Sequence, residues 1–169
     1  MSDSFPRAGF VKRLLVIVYD LLAVIALLML TTVANFIVIS LLEGNGLIKL
    51  NGYVDHSAFL NNQWWFQAEL VLVTWFFYTW FWYDGGQTLG MRAWRLKIQS
   101  TNGKPLTLKR TAIRALFALG GLGNILVLFT PKNKLSLQDK ISNTEVVLLT
   151  KEANKRVYLR GVEDPNQTH

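Results

Sequence analysis

Apolar residues in this chain gather into long runs instead of recurring at the 3.6- or 2-residue period of a soluble domain. From Leu14 to Leu42 the only charged residue is Asp20. As a helix that run is roughly 43 Å long, more than the roughly 30 Å hydrocarbon core of a bilayer requires. A second run, Leu70 to Tyr83, carries no charge and approaches spanning length if it begins near Phe66 and takes in Glu69. The third, Ala115 to Phe129, is shorter and is broken by Gly120-Gly121-Leu122-Gly123-Asn124. Hydrophobic segments at about 14–42, 66–83 and 112–130 therefore predict an all-α integral membrane protein. It has two transmembrane helices followed by a Gly-broken segment that is either re-entrant or a third transmembrane segment. A cleaved signal peptide would show an apolar stretch of about 7–15 residues before a small-x-small site. The first run is longer and contains Asp20, which predicts an uncleaved helix.

Between and after the runs the pattern changes. Arg95-Leu96-Lys97-Ile98-Gln99 and Glu145-Val146-Val147-Leu148-Leu149 read as short strands, and Asn102-Gly103 marks a tight turn after the first. They predict a small cytoplasmic β-hairpin or strand pair, and pairing requires both strands to lie on one side of the membrane. Residues 1–150 form the membrane domain on this reading. Residues 151–169 alternate charge, end in Asp164-Pro165-Asn166-Gln167-Thr168-His169, and read as a polar, frayed tail.

Composition narrows the class. Of 169 residues 51% are hydrophobic and only 17% charged, against about a quarter charged in soluble domains. Six Trp and ten Phe exclude a disordered chain. The absence of cysteine excludes disulfide scaffolds and thiol chemistry. The net charge of +7 is unevenly placed. Arg7, Lys12 and Arg13 precede the first run, and Arg92, Arg95, Lys97, Lys104, Lys109, Arg110 and Arg114 follow the second. The stretch 43–66 has Lys49 alone. Positive charge marks the cytoplasmic side, so the N-terminus and residues 84–114 face inward and 43–66 faces outward. The basic residues after Thr130 also belong inside, which favours a re-entrant third segment over a crossing. An anionic inner leaflet attracts juxtamembrane Lys and Arg by about 1 kcal/mol each. That partner accounts for the charge without nucleic acid, although the basic 92–114 segment also admits a lipid-sensing role.

Asp20 is the main candidate for chemistry, because a central carboxylate in a membrane costs at least ~2.5–3.5 kcal/mol unless it meets protein, water or a partner. Arg13 lies two turns earlier on the same helix face, and Thr31 and Asn35 continue that face. One reading is a cation or proton site lined by this stripe. The other is a residue near the cytoplasmic interface that only fixes helix packing, since Leu21 to Leu42 alone suffices to span. The aromatic residues from Trp75 to Tyr83, with Trp64-Trp65-Phe66, read as interfacial belts, with a cation cage as the alternative. Glu69 reads as a headgroup-level residue. Gly86, Thr88 and Gly90 lie in a glycine-rich loop after the second run, where Met91-Arg92 replace the Lys and Ser/Thr of a nucleotide loop. A structural turn at the membrane surface is the expected role. With only His56 and His169 there is no metal-ligand spacing, no cofactor is implied, and no nucleophile–base arrangement suggests an enzyme.

Together these residues resemble the RDD family of bacterial membrane proteins, named for one arginine and two aspartates. The resemblance runs from Phe10 to about Leu149. Arg13-Leu14 and Tyr19-Asp20 match the arginine that opens the first helix and the aspartate within it. Gly86-Gln87-Thr88-Leu89-Gly90 matches the segment after the second helix, and Arg114 the basic residue opening the third. Leu137-Gln138-Asp139-Lys140 matches the stretch holding the second aspartate. Gln138 stands where His is frequent, and Ser142-Asn143 where Ala-Gly is frequent. The resemblance implies a bacterial inner-membrane protein in which Arg13, Asp20 and Asp139 form the polar network. It further implies transport of undefined ligands, with sodium/proton exchange in some members. Two spans cannot enclose a pathway, so a transporter of this kind would act as a homo-oligomer or with a membrane-protein partner. The rival expectation is a non-transporting accessory subunit that assembles a membrane complex.

Overall fold

A computed structural model describes residues 5–50, 52–129 and 134–157, with the side chains of 119 and 120 left aside. The chain is mostly helical and divides into two compact units, Met1–Leu21 with Trp75–His169, and Leu22–Thr74.

Helix α1 runs without interruption from Phe10 to Gly44. No Pro or Gly interrupts its interior, and the aliphatic residues that fill it keep good helix propensity. It is the single helix among the described residues that is both long and apolar enough to cross a membrane. Its flanks are bare: Leu22 and Leu30 are each 69% exposed. An apolar helix surface of this kind needs lipid or another protein to cover it. Helix α3, Trp64–Asp84, has a spanning length of 21 residues but not the aliphatic content. Trp75, Tyr78, Trp80, Trp82 and Tyr83 carry polar ring atoms, which lowers hydropathy even where the rings are apolar.

Within the unit Leu22–Thr74, the buried residues Ile39, Leu60 and Phe66 form a small core with Ile48, Leu50 and Phe59 packed against it. The short helix α2, His56–Asn61, begins where the Asp55 side chain accepts from the Ala58 N–H at 2.7 Å. The His56 imidazole lies 2.8 Å from Glu43 Oε2.

The other unit carries the sheet. After α3, the short helix α4 (Leu89–Ala93) leads through Arg95, at φ 58, into strand β1, Leu96–Ser100. Helix α5 (Leu108–Ala118) follows, then a 3-10 stretch Leu119–Ile125 and helix α6, Leu126–Phe129. Helix α7 (Leu137–Ser142), strand β2 (Thr144–Leu148) and helix α8 (Lys151–Lys155) complete the described chain. The strands pair antiparallel from Leu96 with Leu148 to Ser100 with Thr144. They are a strand pair and not a hairpin: the Asn102-Gly103 turn after β1 leads into α5, and the partner strand arrives only after α7. Residues 6–8 add a fragment to the far edge of β2, with Ala8 N–H donating to Val146 O at 2.9 Å and Leu148 N–H to Pro6 O at 2.8 Å. Leu96, Ile98 and Val146 face a core with Val16, Trp82 and Met91.

One expectation changes here, that of the tail. The segment 112–130 is broken at its glycines, in keeping with its sequence. Its halves Leu108–Ala118 and Gly121–Phe129 meet at 85°, at the glycines, and Gly121 takes φ 103, which a side chain would resist. Thr130 lies outside the described residues. The tail does not fray at Lys151: Thr150 caps α8, and Val157 is buried with Val147 and Leu149. Residues 158–169 lie outside the described residues.

Candidate functional site: an arginine–aspartate cluster and a clamped glycine loop

Arg13, Val16 and Asp20 share the buried face of α1, as the helical period requires. The two charges do not pair with each other. Seven residues at 1.5 Å each separate them by roughly 10 Å along the axis, and each takes partners from whatever packs against its own turn.

Arg13 reaches the second aspartate. Its Nη1 is 2.7 Å from Asp139 Oδ2, while Arg114 Nη1 is 2.6 Å from Asp139 Oδ1. All three residues are at most 3% exposed. Asp139 is placed by α7: Ser136 caps the helix and accepts from the Asp139 N–H, and the Ser136 N–H donates back to Asp139 Oδ2 at 2.9 Å. Burial alone would raise the Asp139 carboxyl, but the guanidiniums of Arg114 and Arg13, with the Ser136 N–H, hold it below the usual carboxylate value. Arg13 is secured further. Its Nη2 donates to Lys134 O at 3.0 Å, its Nη1 to Ser136 Oγ at 3.2 Å and Asn124 Oδ1 at 3.3 Å, and its Nε to Ala8 O at 3.2 Å. Arg114 donates to Thr144 Oγ1 at 2.5 Å and lies 5.1 Å from the Trp82 ring centre, so the cation held on an aromatic face here is the chain's own.

Asp20 belongs to a separate site. Its Oδ2 accepts from the Thr88 hydroxyl at 2.6 Å and its Oδ1 from the Gly90 N–H at 2.8 Å. No cationic side chain contacts it among the described residues. The loop that holds it explains the Gly-x-Thr-x-Gly spacing. Gly86 has φ 70, and a Cβ there would stand 2.7 Å from Ile98 O. Thr88 caps α4 while donating to Asp20. At Gly90 a Cβ would meet Val16 O at 2.7 Å and Asp20 Oδ1 at 2.9 Å, so only glycine lets α4 approach α1 closely enough for the N–H to reach the carboxylate.

Thr31 and Asn35 join neither cluster through a hydrogen bond. The Thr31 hydroxyl donates to Leu27 O at 3.0 Å, and the Asn35 amide donates to Thr31 O at 3.0 Å and Glu69 Oε2 at 2.9 Å. The polar stripe anticipated along α1 is thus three local arrangements. Sequence reasoning missed Ser136, Asn124 and Thr144. The signal for Ser136 was available, because Ser-x-x-Asp before an apolar turn is a capping box in acidic form. Gln138 donates its Nε2 to Asn124 Oδ1 at 2.9 Å, the same oxygen that accepts from Arg13. Its own Oε1 is buried without a partner among the described residues.

The fold and the site define a mostly helical protein with one membrane-length apolar helix, whose arginines and aspartates bind a small sheet-bearing body to that helix's first turns. The chain belongs to the RDD family: the family's sequence model matches residues 7–143, a span containing Arg13, Asp20, Arg114 and Asp139. Domains of this family are generally membrane-associated. No curated protein and no solved structure matches the chain.

Proposed function

We propose that this RDD-family chain is a multi-pass protein of the cytoplasmic membrane, N-terminus inside, and that its arginines and aspartates are a lock and not a transport site. One observation carries this reading: every carboxylate oxygen of Asp20 and Asp139 is already taken by the chain's own donors. A lock suits a non-enzymatic accessory or assembly subunit that presents a fixed body at the inner leaflet and joins a membrane-protein partner or its own copies. Proteoliposomes containing only this chain should then show no sodium-dependent proton flux. Flux that disappears in an Asp20→Asn variant would overturn the lock.

That outcome would favour the second reading, ion or small-solute transport with sodium/proton exchange as the candidate reaction. A specific observation supports it. Asp20 is buried on an apolar helix, and its donors among the described residues are neutral. A carboxylate lacking a fixed counter-charge is the kind that exchanges a proton for a metal cation.

A further inference from the structure

The broken third segment has two unlike faces. Its inner face is pinned: Asn124 Oδ1 accepts from Arg13 and from Gln138, and Asn124 and Val127 are buried. At Gly121 a Cβ would stand 2.8 Å from Ile17 Cδ1, so the backbone of the bend lies directly against α1 one turn beyond Arg13. Gly123 leaves room for the Gln138 amide in the same way. The outer face is apolar and bare, with Leu122 65%, Leu128 55% and Phe129 77% exposed.

We propose that this elbow is a wedge that enters only the cytoplasmic leaflet, its partner being the acyl chains of a lipid surface. The inference rests on the reading that α1 spans the membrane. Depth is the first argument. The apolar run of α1 begins at Leu14, and Gly121 lies against Ile17, so the bend stands beside the first turn of a span whose own flank is bare. Charge is the second: the arm entering the elbow starts with exposed Lys109 and half-buried Arg110, cations suited to the anionic headgroups above that depth. The bend of 85° is the third, because a near right-angle turn takes the second arm off the line of the first, away from a straight crossing. Backbone that bends at this depth is tolerated when its polar groups are met. The 3-10 turns of Leu119–Ile125 pair their own backbone, and Asn124 Oδ1 accepts from Arg13 and Gln138.

The chain has no cysteine, so single labels can be placed without altering a background. Nitroxides at Leu30→Cys, Lys109→Cys, Leu122→Cys and Phe129→Cys would be read in vesicles of neutral and anionic phospholipid, using collisions with oxygen and with a water-soluble nickel chelate. The wedge expects oxygen to dominate at 30, 122 and 129 and nickel at 109. Labels 122 and 129 should both lie within one leaflet, less than about 15 Å from its headgroups. Nickel access at 122 and 129 with 30 still in lipid overturns the wedge and leaves the spanning helix intact. Nickel access at 30 overturns the spanning reading itself. A label at 129 in the opposite leaflet means a third crossing. Spectral broadening at 122 that vanishes on dilution with unlabelled chain means a second copy covers the face. Either of these last two results overturns the wedge.

Discussion

The Gly90 N–H donates to Asp20 Oδ1 at 2.8 Å, and a Cβ on residue 90 would stand 2.9 Å from that same oxygen and 2.7 Å from Val16 O. One hydrogen atom in place of a methyl group thus decides whether the loop can hold the carboxylate. Gly90→Ala should lower stability by about 1–3 kcal/mol, the usual cost of overpacking. The midpoint of thermal unfolding in detergent measures it. An unchanged midpoint would mean that α4 can retreat from α1 without loss.

Thr88 does two jobs, capping α4 and donating to Asp20 Oδ2. Thr88→Val keeps the shape and removes the donor. It should cost about 1–3 kcal/mol, because a buried acceptor is left unmade. Thr88→Ser keeps both bonds and should recover most of the loss, which separates the hydroxyl from the methyl.

Removing the carboxylate of Asp139 leaves Arg13 and Arg114 buried together with no counter-charge. Asp139→Asn should cost about 3–5 kcal/mol, the range for breaking a buried ion pair from one side. Arg13→Met should also destabilise, and the double variant should cost less than the two single losses added. Strict additivity in that cycle would argue that the 2.7 Å contact carries no coupling.

The same carboxylate gives a pH dependence. Its native pKa lies below the ordinary carboxylate value. Its contribution to stability is therefore complete above the unfolded value of about 3.9, and is lost as pH falls from there through the native value. Unfolding midpoints measured from neutral pH downward should fall in that acid window, and Asp139→Asn should fall less steeply there. Equal slopes for the two chains would remove Asp139 from the account.

Much of this was legible in the residues, and the limits have physical causes. The uninterrupted aliphatic run gave α1, and alternation around Arg95–Gln99 gave β1, displaced by one residue. The strand pair was read from the two segments themselves, with a shared side as its consequence and not its ground. Partners were harder to read. Arg13 and Asp20 fall on one face of a helix, but a shared face makes two side chains point the same way, not toward each other. What packs over each turn chooses the partner, and that information lies far along the chain. The glycines announced a break in the third segment, yet its angle depends on Asn124 and Gln138, whose bonds are tertiary. Residues 6–8 gave no strand signal because three residues interrupted by Pro6 carry no alternation.

The lock also sets an order of events. Arg13 and Ser136 are 123 residues apart in sequence. At the roughly 5–20 residues per second of synthesis, α1 leaves the ribosome on the order of 6–25 s before the segment that completes its cluster. During that interval Arg13 lacks its aspartate, while Asp20 waits a shorter time, its loop lying only 68 to 70 residues further on. On the proposed spanning reading, α1 is therefore a provisional helix, dependent on the insertion machinery to hold each charge until the residues that receive it have been made.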